Sequence, residues 1–225
     1  MKGTIVPLLS DECYALRDMD FVLPVQAVIP GAQGRILAVL AETTAELNLR
    51  TIARLSGVSL AQASRVLPAL VELGIVERRE APPSAPFRFV PENIAARAIS
   101  ALTSARETVL NELGRVAAEL TPRPASVIVF GSFARGEADS ASDLDVVVVR
   151  ARDVHEDDAR WRSAAEHWRY SARRSTGNRV EVVEVGELEA NRLLRSRKPL
   201  WLDVQRDGVV VFGADFAELK GRRSA

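Results

Sequence analysis

The spacing of apolar residues changes character along the chain. Between residues 31 and 92 it is first helical and then alternating. In QGRILAVLAET, Ile36, Leu37 and Leu40 fall on one face of a helix. In LRTIARLSG, Ile52, Ala53 and Leu55 do the same, with Gly57 at the following turn. Ser59 and Gln62 have the spacing of a capping box, in which the serine oxygen accepts an orphan amide and the glutamine reaches back to the serine amide; a third helix is expected to start there. Val66, Leu70 and Leu73 continue it to Gly74, a residue suited to a helix C-cap. Pro68 falls inside this helix, where it forfeits a hydrogen bond and can kink the axis. IVERRE and FRFV then alternate as two strands, and APPSAP between them reads as a loop because proline has no amide to donate.

Residues 93–120 carry Ile94, Ala98, Leu102, Val109, Leu113 and Leu120 in a long helical pattern, with a break expected at Thr103 and Ser104. TPRP ends it. The period then switches: SVIVF, LDVVVV, RVEVVEV and GVVVFG read as strands, with helical stretches at 156 to 175, 188 to 195 and near Trp201. Two domains are expected. An N-terminal extension over 1–30 precedes three helices and a hairpin over 31–92, the plan of a winged helix-turn-helix, mostly α with a β-wing. Connecting helices over 93–123 lead to an α/β or α+β domain over 124–225.

Composition narrows the classes. Of 225 residues 47% are hydrophobic and 5% aromatic, so the cores must be built mainly from Leu, Val and Ala. Thirty Lys and Arg balance thirty Asp and Glu. Zero net charge excludes a chain that coats nucleic acid globally and leaves phosphate binding to local patches. The single cysteine, Cys13, offers no internal disulfide and no thiolate cluster. The first twenty residues lack the long apolar core of a signal peptide, and no apolar run approaches the roughly 20 residues of a membrane helix. A soluble cytoplasmic protein is expected, with no membrane partner.

The chemistry concentrates in GSFARGEADSASDLDVVVV, residues 131–149. Gly131 ends a strand without a side chain to obstruct a ligand, and Ser132 adds a hydroxyl and an amide that can donate to phosphate oxygens. Asp143 and Asp145 open the next strand; at positions i and i+2 their carboxylates share a face, roughly 7 Å apart at Cα. Two such carboxylates repel unless a cation lies between them. The following valines suit a strand buried on both faces. Hard carboxylate donors beside a phosphate-receiving Gly-Ser are what metal-assisted phosphoryl or nucleotidyl transfer requires. The alternative for the Asp pair is a turn cap before a buried strand.

Gly-Ser, ten residues, then Asp-x-Asp resembles the signature of the DNA polymerase beta-like nucleotidyltransferase superfamily, and within it the minimal nucleotidyltransferases. The likeness covers about residues 105–215. It implies a nucleotidyltransferase fold with a mixed sheet, Mg²⁺ or Mn²⁺ as cofactor, and a nucleoside triphosphate, ATP first, as substrate. It also implies two metal-binding acids, Asp143 and Asp145, with a third on a later strand. Glu181 of RVEVVEV is the match, where the family usually has Asp; Glu184, three residues on, falls on the opposite strand face. The third acid can equally be a solvated edge-strand residue. Arg135 either approaches phosphates or pairs at the surface with Glu137 or Asp139. Minimal nucleotidyltransferases often act as antitoxins on a partner toxin, which makes a protein hydroxyl the first acceptor to consider, ahead of RNA or a small molecule.

LRTIARLSGVSLAQASRVLPALVELGIVERR resembles the winged helices of bacterial transcription regulators. The resemblance implies DNA binding, with the start of the third helix in the major groove. Ser59, Leu60, Ala61, Gln62, Ser64 and Arg65 are the contact residues this implies; Gln62 suits adenine and Arg65 guanine or phosphate. Arg78, Arg79 and Arg88 would meet backbone from the wing. Residues 31–97 hold eight Arg against six Glu, a modest excess for a DNA binder, and protein contact or dimerisation is the competing use. The stripe over 93–120 suggests a homodimer. The arginines of residues 160–179 either attract phosphates or form a solvated face, and Trp161, Trp168 and Trp201 suit packing rather than base stacking.

Overall fold

The structure, a computed structural model, describes residues 19–82 and 85–221; Cys13, most of the extension over 1–30, and Pro83 and Ser84 of the wing loop lie outside them. The first domain contains α1 (Pro24–Val28), α2 (Gly31–Ala41), α3 (Leu49–Leu55), α4 (Leu60–Glu72), β1 (Val76–Arg78) and β2 (Phe87–Phe89). β1 and β2 pair antiparallel with Val76 opposite Phe89, and a single bridge ties Leu47 to Phe87. The capping box forms: the Gln62 amide donates to Ser59 Oγ at 3.1 Å, and the Ser59 amide donates to Gln62 Oε1 at 2.9 Å. α4 then runs unbroken through Pro68. The core joins Ile36, Leu37 and Leu40 of α2, Ile52 of α3, Leu67 and Leu70 of α4, and Phe87 and Phe89 of the wing.

Several expected inward positions face solvent. Leu73 is 60% exposed and Leu55 is exposed too, while Ala63, Leu67 and Leu70 form the buried stripe of α4. Leu73 is the C-cap, where the chain leaves the helix axis. The extension supplies α1, whose Val25 is buried in this core. Five residues are too few to display a period.

The connecting segment breaks where expected, into α5 (Ile94–Thr103) and α6 (Ala105–Glu119) with Ser104 between them. The apolar stripe holds in α6 but is out of phase in α5. There Ala96 and Ile99 are buried, Ala98 is exposed and Ile94 is 74% exposed. Asn93 sets that phase by accepting the amides of Ala95 and Ala96. Val109, Leu113 and Leu120 pack into the second domain, so this part of the stripe is buried within the chain rather than offered to a second copy.

The second domain contains β3 (Ser126–Phe130), α7 (Gly131–Arg135), β4 (Leu144–Arg150), α8 (Ala159–Thr176), β5 (Val180–Gly186), α9 (Glu187–Leu193), α10 (Pro199–Asp207), β6 (Val209–Gly213) and α11 (Phe216–Gly221). α8 starts three residues later than expected because the Asp158 carboxylate caps it. α11 is not among the expected helices; its start is a capping box, in which the Asp215 amide donates to Glu218 Oε2 at 2.9 Å and the Glu218 amide to Asp215 Oδ1 at 2.8 Å. The sheet order is β5-β4-β3-β6; β4 and β5 run parallel and the other pairs antiparallel, so the sheet is mixed. Alternation sorts the strand residues onto two layers. Val127, Val129, Leu144, Val146, Val148 and Val180 pack with α6 and α8 around Trp161 and Trp168. Ile128, Phe130, Val147, Val149 and Val185 pack on the other side with Ala190 and Trp201. β4 is central, which is why Val146, Val147, Val148 and Val149 are all buried. No described helix is long and apolar enough to cross a membrane.

Candidate active site

The end of β3 and the starts of β4 and β5 lie side by side. Phe130 is registered against Asp145 across the antiparallel pair, and Asp145 against Glu181 across the parallel pair. Asp145 shares strand parity with Val147 and Val149, and Glu181 with Val183 and Val185, so both carboxylates project on the Trp201 side of the sheet. Registered neighbours on adjacent strands are roughly 4.8 Å apart. Asp143 stands two residues ahead of Asp145, exposed and just outside β4, which begins at Leu144. Glu184 is on the opposite side, where its Oε1 accepts from Trp161 Nε1 at 2.8 Å and Arg150 Nε at 3.1 Å.

Burial pushes the Asp145 carboxyl pKa up, and the charges of Asp143 and Glu181 push it further, against a smaller opposing pull from Arg135. Three carboxylates therefore interact at one strand end. Their hard oxygens fit Mg²⁺ or Mn²⁺, and a cation would relieve their repulsion. Among the described residues no three His, Cys, Asp or Glu side chains stand close enough to enclose an ion as they lie. Glu181 Oε1 is engaged by Arg179 at 2.5 Å.

Gly131 and Ser132 do more than end the strand. They begin the short helix α7, inside the stretch expected to be only a crossover. Gly131 has φ +71°, and a methyl group there would collide with Asp145 Oδ2. Glycine is thus required by the close approach of a site carboxylate as well as by the backbone conformation. Arg135 does not project freely toward a phosphate. It pairs with Glu137 at 2.7 Å and with Asp207 at 3.0 Å. Asp207 has an 8% exposed side chain and also holds Arg206; first Arg206 and then Arg135 keep its carboxyl at about 2. Arg106 of α6 donates to the carbonyls of Phe133 and Ala134, tying down the far end of α7. Asp207 and Arg106 carried no signal in sequence, because each partner pair is separated by 72 and by 27 or 28 residues respectively.

The expected DNA-contacting residues gather around α4 and the wing. Leu60, Ala61, Ser64 and Arg65 are exposed on the first turns of α4. A groove of about 950 Å³ runs beside them, lined in part by Arg50, Leu60, Ser64, Pro68 and Arg78. Ser59 and Gln62 are already spent on the capping box, which occupies the Gln62 oxygen that a bidentate adenine contact needs as acceptor. The wing arginines are also engaged: Arg78 with Glu80 at 3.5 Å, Arg79 with Glu46, and Arg88 with Glu77 at 2.7 Å. The three tryptophans are buried, in accord with packing.

Two family models match separate parts of the chain. Residues 34–80 match the family model of the IclR helix-turn-helix domain, and residues 110–205 that of the nucleotidyltransferase domain. No curated protein matches the chain. Among the solved structures similar to parts of it are the following. One is the homodimeric winged helix-turn-helix DNA-binding domain of Mb0332 from Mycobacterium bovis, a possible ArsR-family transcriptional regulator; it is 27% identical, covers 41% of this chain and 83% of its own, and has a TM-score of 0.31. A mutant of the toxin-antitoxin MntA-HpeT is 16% identical over 48% of this chain and 77% of its own, with a TM-score of 0.34. A toxin-antitoxin with AMP-PNP is 20% identical over 46% and 73%, with a TM-score of 0.31. The chain joins an IclR-type helix-turn-helix domain to a nucleotidyltransferase domain.

Proposed function

We propose that the C-terminal domain transfers a nucleoside monophosphate from a nucleoside triphosphate, ATP first, to a hydroxyl group. Asp143, Asp145 and Glu181 would hold Mg²⁺ or Mn²⁺, and Gly131 and Ser132 would receive the triphosphate. One observation carries this reading: Asp145 is registered with Glu181, two residues beyond Asp143, with its carboxylate against Gly131. The acceptor oxygen forms a bond to the α-phosphorus. The bond from that phosphorus to the bridging oxygen breaks, pyrophosphate leaves with the electron pair, and the acceptor proton passes to a carboxylate of the cluster. When bound, the metal supplies countercharge for the triphosphate and leaving pyrophosphate. Ser132 orients the phosphates; Arg135, anchored on Asp207, holds α7 in place rather than reaching the nucleotide.

The acceptor we favour is a hydroxyl of a partner protein, in line with the antitoxin role that the resemblance to minimal nucleotidyltransferases implies. The N-terminal domain would bind DNA, Ser64 and Arg65 facing base edges and Arg78 and Arg79 the backbone once released from their carboxylates. DNA and nucleoside triphosphates as ligands suit a bacterial cytoplasmic protein. A homodimer reading a two-fold site would need a surface other than the buried stripe of α6.

A second reading is favoured by Glu181 being held by Arg179: a DNA-binding regulator whose transferase domain binds nucleotide or a partner without turnover. Labelled ATP with Mg²⁺, offered to the intact protein and to a variant carrying Asp143→Ala and Asp145→Ala, separates the two. Transfer lost in the variant supports the site. Transfer that persists there removes the assignment, and no transfer beside tight operator binding favours the regulator.

A further inference from the structure

Asn178 is a buried amide, 2% exposed, in the turn between α8 and β5. Its position is over-determined. Gly177 caps α8 in the left-handed conformation, the Asn178 amide donates to Thr176 Oγ1 at 3.2 Å, and that hydroxyl donates to the Ala172 carbonyl at 2.9 Å. The side chain, so fixed, makes three long-range contacts. Its Nδ2 donates to the Ser142 carbonyl at 2.9 Å and to the Met19 carbonyl at 3.4 Å, and its Oδ1 accepts from the Met19 amide at 3.2 Å.

Ser142 precedes Asp143. On the other side of Asp143, the Leu144 amide donates to the Arg179 carbonyl at 2.8 Å. The exposed acid is thus bracketed by two hydrogen bonds to consecutive residues, 178 and 179, of the segment that leads into Glu181. Asp143 lies outside the β4 ladder, so this bracket substitutes for the strand pairing that holds Asp145.

We propose that Asn178 is a positioning residue for the metal site, holding Asp143 at a set distance from Asp145 and Glu181 through the Ser142 carbonyl. This rests on the metal-binding reading of those acids. Removing a partner that orients a metal ligand costs about 10- to 100-fold in affinity. The bonds to Met19 have a different role, fastening the segment before α1 to the same turn.

The test titrates the full-length protein with Mn²⁺, followed by calorimetry and by the electron paramagnetic resonance of free ion, with thermal melts alongside. Asn178→Ala and Asn178→Asp should each weaken Mn²⁺ binding by about tenfold or more. The aspartate variant keeps an acceptor for the Met19 amide but has no donor for the Ser142 or Met19 carbonyl, so arm docking needs a separate control. Asn178→Ser is the smaller change should the first two fail to fold. Phe21→Leu loosens the same segment without touching Ser142; it should lower the melting temperature and leave Mn²⁺ affinity within about twofold, well short of the loss expected from a ligand-orienting partner. Folded Asn178 variants with wild-type affinity overturn the proposal alone, and so does an equal loss of affinity in Phe21→Leu. Wild-type protein that binds no Mn²⁺ overturns the functional reading and this proposal with it.

Discussion

At Asp145, stability and function oppose each other. Its pKa is raised in the folded chain, so the sign is that of a carboxyl that prefers to stay protonated there. The associated stability is present below the unfolded pKa of about 3.9 and is lost as pH rises through the raised folded value. At neutral pH the metal-free protein carries that loss. Asp145→Asn should therefore raise the melting temperature, by about 1–3 °C since a half-buried group is partly screened, while abolishing Mn²⁺ binding. A melt paired with a Mn²⁺ titration checks both halves. Arg135 is expected from sequence either to approach phosphates or to pair at the surface; its guanidinium pairs with Glu137, a partner the sequence suggests, and with Asp207, which lies too far along the chain to be suggested.

Elements are set by short-range chemistry at their ends, and two substitutions probe it. The capping box fixes both the start and the phase of α4, and with them which side chains face the wing groove. Ser59→Ala should cost about 1 kcal/mol and lower the melting temperature of the N-terminal domain by a few degrees, read by far-ultraviolet circular dichroism. The turn at Gly131 couples α7 to β4, because the space a side chain would fill belongs to the Asp145 carboxylate. Gly131→Ala should destabilise by at least about 1–2 kcal/mol from the left-handed backbone alone. It should also reduce nucleotidyl transfer by about 100-fold, the effect of misplacing a reacting group by an ångström; initial-rate assays measure it.

Over the whole molecule, the segment before the winged helix belongs to both domains. Val25 completes the N-terminal core, whereas Phe21 packs edge-on against Phe133 of α7, with centroids 4.9 Å apart, and its amide donates to the Ala138 carbonyl at 2.9 Å. Arg106, at the start of α6, fastens α7 from the connecting helices. Phe21→Ala should destabilise the C-terminal domain by about 3–5 kcal/mol although it lies at the other end of the sequence. All three tryptophans are in that domain, so their fluorescence in a denaturant titration reports its unfolding separately from the winged helix.

What the sequence determined by itself is what nearest neighbours along a chain decide. The three helices and hairpin, the Ser59 cap, the break at Ser104, the four strands and the spacing of Gly131, Ser132, Asp143 and Asp145 all depend on period, caps and turn chemistry within about fifteen residues. The opposite-face position of Glu184 followed from strand alternation alone. Tertiary structure alone decided the rest. The α5 stripe is turned by the Asn93 cap and by what it packs against, so Ile94 is exposed. The roles of Asn178, Arg106 and Asp207 depend on partners 27 to 159 residues away, brought near only when the sheet closes. Sequence spacing is blind to such contacts because a hydrogen bond acts over about 3 Å of space, whatever the length of chain between its ends.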